Sequence, residues 1–282
     1  MKNSYVLPKE AFVDFMSEGA MNSQEGIFVY GIADPSIKDL LPPPLELADP
    51  DNPMVYIYIV NIREPTFAPW YMEGGIAVLA KLGDTVGAYF FSLFVSGPGA
   101  LMAAYSGRDG SGLPKKLCEK IVVERKGESG HCYIERDGVR LVDVELEMGA
   151  YNVDDLVLGF ENAADVEGGM VGEGGCLLHR FKLEDGFKNM EIIKYDSPTT
   201  YHTWEPATAT VKLVSSVDDP IGEIPLKTVL GAAWSVSDNV VTGTSPIYQY
   251  PDDEAADIMR YLYAGRYDTS LLDGRRHQSY SS

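Results

Sequence analysis

Cysteine and histidine are both scarce here: three of one and four of the other in 282 residues. Cys118, Cys132 and Cys176 are odd in number and form no C-x-x-C pair. That argues against a disulfide framework and against a thiolate zinc site. A reducing compartment fits, and a cytoplasmic location is expected. His131, His179, His202 and His277 show neither H-x-x-H nor H-E-x-x-H spacing, so no metal is expected. No apolar run reaches the roughly 18 residues of a membrane span, and the opening M-K-N-S-Y-V-L-P-K-E lacks a signal-peptide core. Basic residues are also few: 23 against 42 acidic, a net charge of −19. Such a surface repels nucleic acid and anionic membranes. A small anionic substrate remains admissible, because salt screens distant surface charge within about 10 Å.

What is present is an ordinary folded composition, with 45% hydrophobic, 23% charged and 11% aromatic residues. Short β-branched and aromatic runs recur: Ile27 to Ile32, Met54 to Ile62, Met72 to Leu82 and Val86 to Val95. The near-continuous apolar character of Met54 to Ile62 predicts burial on both faces. Gly83-Asp84-Thr85 and Asp137-Gly138 read as hairpin turns. Asp34 followed by Pro35 predicts a short helix with Asp34 as N-cap, stopped by Pro42-Pro43-Pro44. Further helices are expected over 9–18, Pro98 to Tyr105 and Ala255 to Tyr263. Glu167 to Gly175 reads as a flexible surface loop whose glutamates would repel phosphate. Strands outnumber helices without strand–helix alternation. The expectation is a mainly β fold, an antiparallel barrel or sandwich with short peripheral helices. One domain over 1–282 is expected, with 275–282 a disordered tail.

The chemically loaded stretch is Gly107 to Leu117, G-R-D-G-S-G-L-P-K-K-L, close behind the apolar run Val86 to Val95. Lys115 and Lys116 as solvated loop lysines is the plain interpretation. Set among apolar side chains, a lysine is instead favoured as a neutral nucleophile. Tyr89, Phe90, Phe91 and Phe94 are the residues that would supply such surroundings.

Several stretches in order resemble the acetoacetate decarboxylase-like superfamily: L-L-P-P-P-L-E (Leu40 to Glu46), W-Y-M-E-G-G-I-A-V (Trp70 to Val78), G-R-D-G-S-G-L-P-K-K-L, L-L-H-R-F-K-L (Leu177 to Leu183) and W-E-P-A-T-A-T-V-K-L (Trp204 to Leu213). The resemblance spans about residues 23 to 250 and implies a cone-like antiparallel β-barrel in a homo-oligomer, with no cofactor. It implies a Schiff-base lyase acting on a small keto acid. Lys115 would be the nucleophile, with Lys116 beside it and Glu73 in proton relay or substrate orientation. Lysine activation in acetoacetate decarboxylase is itself a standard example of the principle. Arg108 matches the G-R-E arginine and is a candidate substrate-binding residue, or a structural one tied to Asp109.

The departures bear on the reaction. The family's carboxylate-binding arginine falls at Ser23 or Gln24, and a second family glutamate falls near Tyr58. Arg63 is a candidate replacement for the arginine. Tyr248, Gln249 and Tyr250 are candidates by location for the aldol members of the superfamily. Three readings follow: a β-keto acid decarboxylase, a pyruvate aldolase-dehydratase, and a non-catalytic barrel that binds a small molecule.

Overall fold

A computed structural model describes residues 4–12, 19–183 and 188–272. Its strands run in chain order as β1 (Gly19–Ala33), β2 (Glu46–Leu47), β3 (Met54–Pro65), β4 (Tyr71–Leu82), β5 (Thr85–Ser96), β6 (Lys115–Leu117), β7 (Lys120–Lys126) and β8 (Ser129–Arg136). They continue as β9 (Val139–Met148), β10 (Met170–Gly172), β11 (Gly175–Lys182), β12 (Lys188–Asp196), β13 (Thr199–Leu213), β14 (Leu226–Val241) and β15 (Gly243–Gln249). Helices are short and peripheral: α1 (Ala100–Ala104), continued by a π-helical turn over Tyr105–Gly110, and α2 (Ala255–Arg266). No helix among the described residues is long and apolar enough to cross a membrane.

All fifteen strands among the described residues join one sheet, whose main path is β15-β12-β11-β5-β4-β3-β1-β14-β13-β9-β8-β7. The mainly β expectation holds. Among the described pairings all are antiparallel except two, β5 with β6 and β5 with β11, which are parallel. The path is open: β7 and β15 end it without pairing to each other. The sheet curls instead, and β7 returns to pack against β3, β4 and β5.

That curl gives the central strands two buried faces. Val55, Ile57 and Ile59 of β3 enter one apolar core with Ile27, Val29, Ile76 and Val78. Tyr58, Val60 and Ile62 enter a second core with Phe28, Ala77 and Trp204. Period-two alternation is therefore hidden in the sequence, because both faces are apolar.

The Asp34 cap forms as expected, with its carboxylate accepting from Ser36 N at 2.9 Å. The helix it starts is 3-10, over Pro35–Leu40. Leu82 pairs with Thr85 across Gly83-Asp84, and Arg136 with Val139 across Asp137-Gly138, closing both expected hairpins. Leu226–Val241 forms one long strand, β14. The expected 9–18 helix is described only over Lys9–Phe12, as a 3-10 turn, and the expected tail 275–282 lies outside the described residues.

Candidate active site

Glu73 is carried by β4 and faces inward, 5% exposed, opposite Val60 of β3. Lys115 opens β6, in register with Leu93 of β5. The two meet inside the curl: Lys115 Nζ lies 2.6 Å from Glu73 Oε2, with Lys115 only 2% exposed. Tyr58 completes the group, its hydroxyl donating to Glu73 Oε1. Burial, and then the Glu73 charge, hold the Tyr58 phenol well above its ordinary value, so it stays a donor. The ammonium also sits 5.8 Å from the centre of the Tyr71 ring, within cation–π range.

Local backbone features aim this lysine. Its stem lies directly on Gly107, where a Cβ would come 2.7 Å from Lys115 Cε. Gly112, at φ +82°, passes so close to β11 that a Cβ would meet His179 O at 2.2 Å. Leu113 N donates to Gly107 O and Leu93 N to Pro114 O, so the loop is fastened on both sides of Pro114.

The three residues line a cavity of about 530 Å³. Its walls carry a cluster of aromatic side chains, Phe28, Tyr30, Tyr56, Phe90, Tyr195 and Tyr201 among them. Lys115 is the one cation among the described lining residues. Gln24, one of the two positions aligned with the family's arginine, lines the cavity as a neutral amide. Cys176 also lines it, but burial and Glu73 push its thiol up to about 12, which makes it a poor nucleophile. The segment expected as a surface loop contributes Glu173, Gly174 and Gly175 to the wall, because Gly174 packs on the Ser197 carbonyl. No group of three or more His, Cys, Asp or Glu suited to a metal occurs among the described residues.

Other expected site residues lie elsewhere. Lys116 takes the opposite face of β6, since successive side chains on a strand alternate. Its ammonium bonds Asp219 Oδ1 at 2.8 Å and Asp218 O at 2.9 Å, in a buried network shared with Arg136 and Asp268. Arg108 does pair with Asp109, at 3.1 Å, outside the cavity. Arg63 is exposed and paired with Glu25. Tyr248 is 36% exposed, while Tyr250 is buried and donates to Pro43 O at 2.7 Å; neither lines the cavity, nor does Gln249. Of the four aromatics expected around the lysine, only Phe90 faces it. Tyr89, Phe91 and Phe94 serve the other core, because a bulge between the Ile76–Ser92 and Ala77–Phe90 pairs shifts the alternation. Tyr56 and Tyr58 alternate with Ile57 and Ile59 in the sequence, the available sign of an aromatic wall.

The acetoacetate decarboxylase family model matches residues 7–251. The chain belongs to this family. A relative from Lactiplantibacillus plantarum, named a CLA biosynthesis isomerase, is 31% identical over 278 residues, 96% of each chain. The acetoacetate decarboxylase of Legionella pneumophila superposes with a TM-score of 0.66 at 15% identity, over 82% of this chain and 87% of that one. The enduracididine biosynthesis enzyme MppR, solved with pyruvate, gives 0.58 at 12% identity, over 81% and 90%. At these identities the solved structures speak to the fold, which this family member shares.

Proposed function

We propose that this chain is a carbonyl-directed isomerase that moves a carbon–carbon double bond next to a ketone in an apolar substrate. The reading rests on one observation: a buried Lys115–Glu73–Tyr58 relay in a cavity with no second cation among its described lining residues. An isomerase name on the 31% identical relative supports it.

The chemistry balances with these residues alone. Lys115 passes a proton to Glu73, and the free amine adds to the ketone carbon. The resulting hydroxyl takes that proton back from Glu73 and leaves as water. A protonated imine remains, with Glu73 again a carboxylate. The cationic C=N acidifies the neighbouring C–H. Glu73 removes that proton and returns it at the far end of the conjugated system. Hydrolysis releases the ketone with its double bond moved. Tyr58 holds the Glu73 carboxylate in position throughout.

Decarboxylation of a β-keto acid, or aldol condensation of pyruvate, would use the same imine. Either needs a partner for the substrate carboxylate. Here Lys115 is already committed to the carbonyl, and Glu73 would repel a second anion in a low-dielectric site. An apolar ketone carries no such cost.

Three substrates offered separately test the reading: a medium-chain β,γ-unsaturated ketone, acetoacetate, and pyruvate with an aldehyde. The expected result is a rise in conjugated-enone absorbance and a borohydride-trapped adduct that is lost in Lys115→Ala. Glu73→Gln should slow formation of the adduct, because Lys115 loses its proton acceptor, and should abolish isomerisation. Carbon dioxide from acetoacetate without double-bond movement would restore the decarboxylase reading. Aldol product would restore the aldolase-dehydratase, and an adduct or complex without turnover the binding barrel.

A further inference from the structure

Arg266, at the C-terminal end of α2, is 5% exposed and is bonded to carbonyls, with no carboxylate partner among the described residues. Its guanidinium donates to Gly112 O at 2.6 Å, His179 O at 3.1 Å and Leu262 O at 3.3 Å. Burial pulls it below its ordinary value, the mark of a charge held at a desolvation cost. A buried cation without an anion is expensive, and carbonyl dipoles offset only part of that expense.

We infer that Arg266 is a positioning residue for Lys115, clamping the lysine loop to β11 through the carbonyls of Gly112 and His179. The inference rests on Lys115 being the reacting amine. Gly112 stands three residues before Lys115, with only Leu113 and Pro114 between. Arg266 fixes the near end of that link, and the Leu93 N to Pro114 O bond fixes the far end. The clamp is doubled, because Arg108 of the same loop donates to the Arg266 carbonyl at 3.4 Å and lies over the Tyr267 ring. Helix α2 therefore reaches the site from beyond residues 7–251, the span of the family match. Moving a catalytic group by about 1 Å costs on the order of a hundredfold in rate. The 2.6 Å contact of Lys115 with Glu73 leaves little room for such movement.

The test compares wild type with Arg266→Lys and Arg266→Met. Two readouts separate positioning from bulk structure. One is the pH dependence of Lys115 labelling by an amine-reactive reagent, followed by mass spectrometry, with Lys116 as internal control. The other is the split between kcat and KM on the unsaturated ketone. Arg266→Met is expected to move the Lys115 labelling profile but not that of Lys116. It should lower kcat by about 10- to 100-fold while KM changes by less than about threefold. Arg266→Lys should fall between Met and wild type. If Arg266→Met does not fold, Arg266→Lys decides. A folded variant with an unchanged Lys115 profile and unchanged kcat would overturn the inference. Should wild type turn over none of the ketones, the isomerase reading fails, while the labelling comparison still tests Arg266.

Discussion

Lys115 and Lys116 are adjacent in the chain and point to opposite sides of one three-residue strand. Lys115 enters the cavity and meets Glu73, whereas Lys116 enters a buried lattice of Asp219, Arg136 and Asp268. Two lysines with the same motif context thus have different work, and substitutions should separate them.

Lys116→Met removes one cation from that lattice and leaves Asp219 Oδ1 without its partner. Loss of one member of a buried pair costs about 3–5 kcal/mol. The midpoint of denaturant unfolding should fall accordingly, while the folded fraction still forms the borohydride-trapped adduct at Lys115. A folded variant that loses the adduct would show Lys116 acting in the chemistry.

Gly107→Ala places a methyl where the Lys115 stem lies, 2.7 Å from its Cε. The lysine must shift, and its amine leaves Glu73. The expected outcome is a loss in kcat on the order of a hundredfold. Circular dichroism should report an intact fold. Retained kcat would mean that the stem finds another route to Glu73.

Tyr58→Phe deletes the donor to Glu73 Oε1 in a buried site. The lost hydrogen bond should destabilise the protein by about 1–3 kcal/mol. It should also displace the pH–rate profile, because the carboxylate that moves the proton loses a stabilising donor. An unchanged profile in the folded variant would remove Tyr58 from the relay.

His179 supplies a pH-dependent stability. Its ring packs 5.9 Å from those of Tyr89 and Tyr250, and its Nε2 bonds the Tyr250 hydroxyl at 3.1 Å. Burial, followed by the Arg266 charge, pulls its pKa down from 6.5 to about 3. Between those values the unfolded chain binds a proton that the native state refuses. Stability therefore falls as pH drops from about 6.5 towards 3, by up to about 1.4 kcal/mol per pH unit. Replacing the ring by His179→Phe should flatten that slope relative to wild type in denaturant titrations across the window. Parallel slopes would assign the acid sensitivity to other groups.

Much of the strand order was legible because strands announce themselves locally. Runs such as Met54 to Ile62, the two hairpin turns and the Asp34 cap are set by neighbours in sequence, and each forms where the residues predict it. The motif Gly107 to Leu117 also singled out Lys115 and, through its family resemblance, Glu73. What escaped was direction. Strands with two apolar faces show little alternation, so Tyr58 was marked only by its place near a family glutamate and by its alternation with Ile57 and Ile59, and nothing distinguished Phe90 from Phe91 and Phe94.

The sequence by itself determined the class of fold through composition and periodicity, and pointed to the family and to the P-K-K lysines through contiguous motifs. Tertiary structure alone decided that Lys115 and not Lys116 faces the cavity, that the neutral Gln24 lines it, and that Arg266 closes on Gly112. The physical reason is separation along the chain. Glu73 and Lys115 stand on strands set by hydrogen-bonded register with β5, Arg266 on a helix more than 150 residues beyond Gly112. Only the curl of the sheet brings such groups within hydrogen-bonding distance.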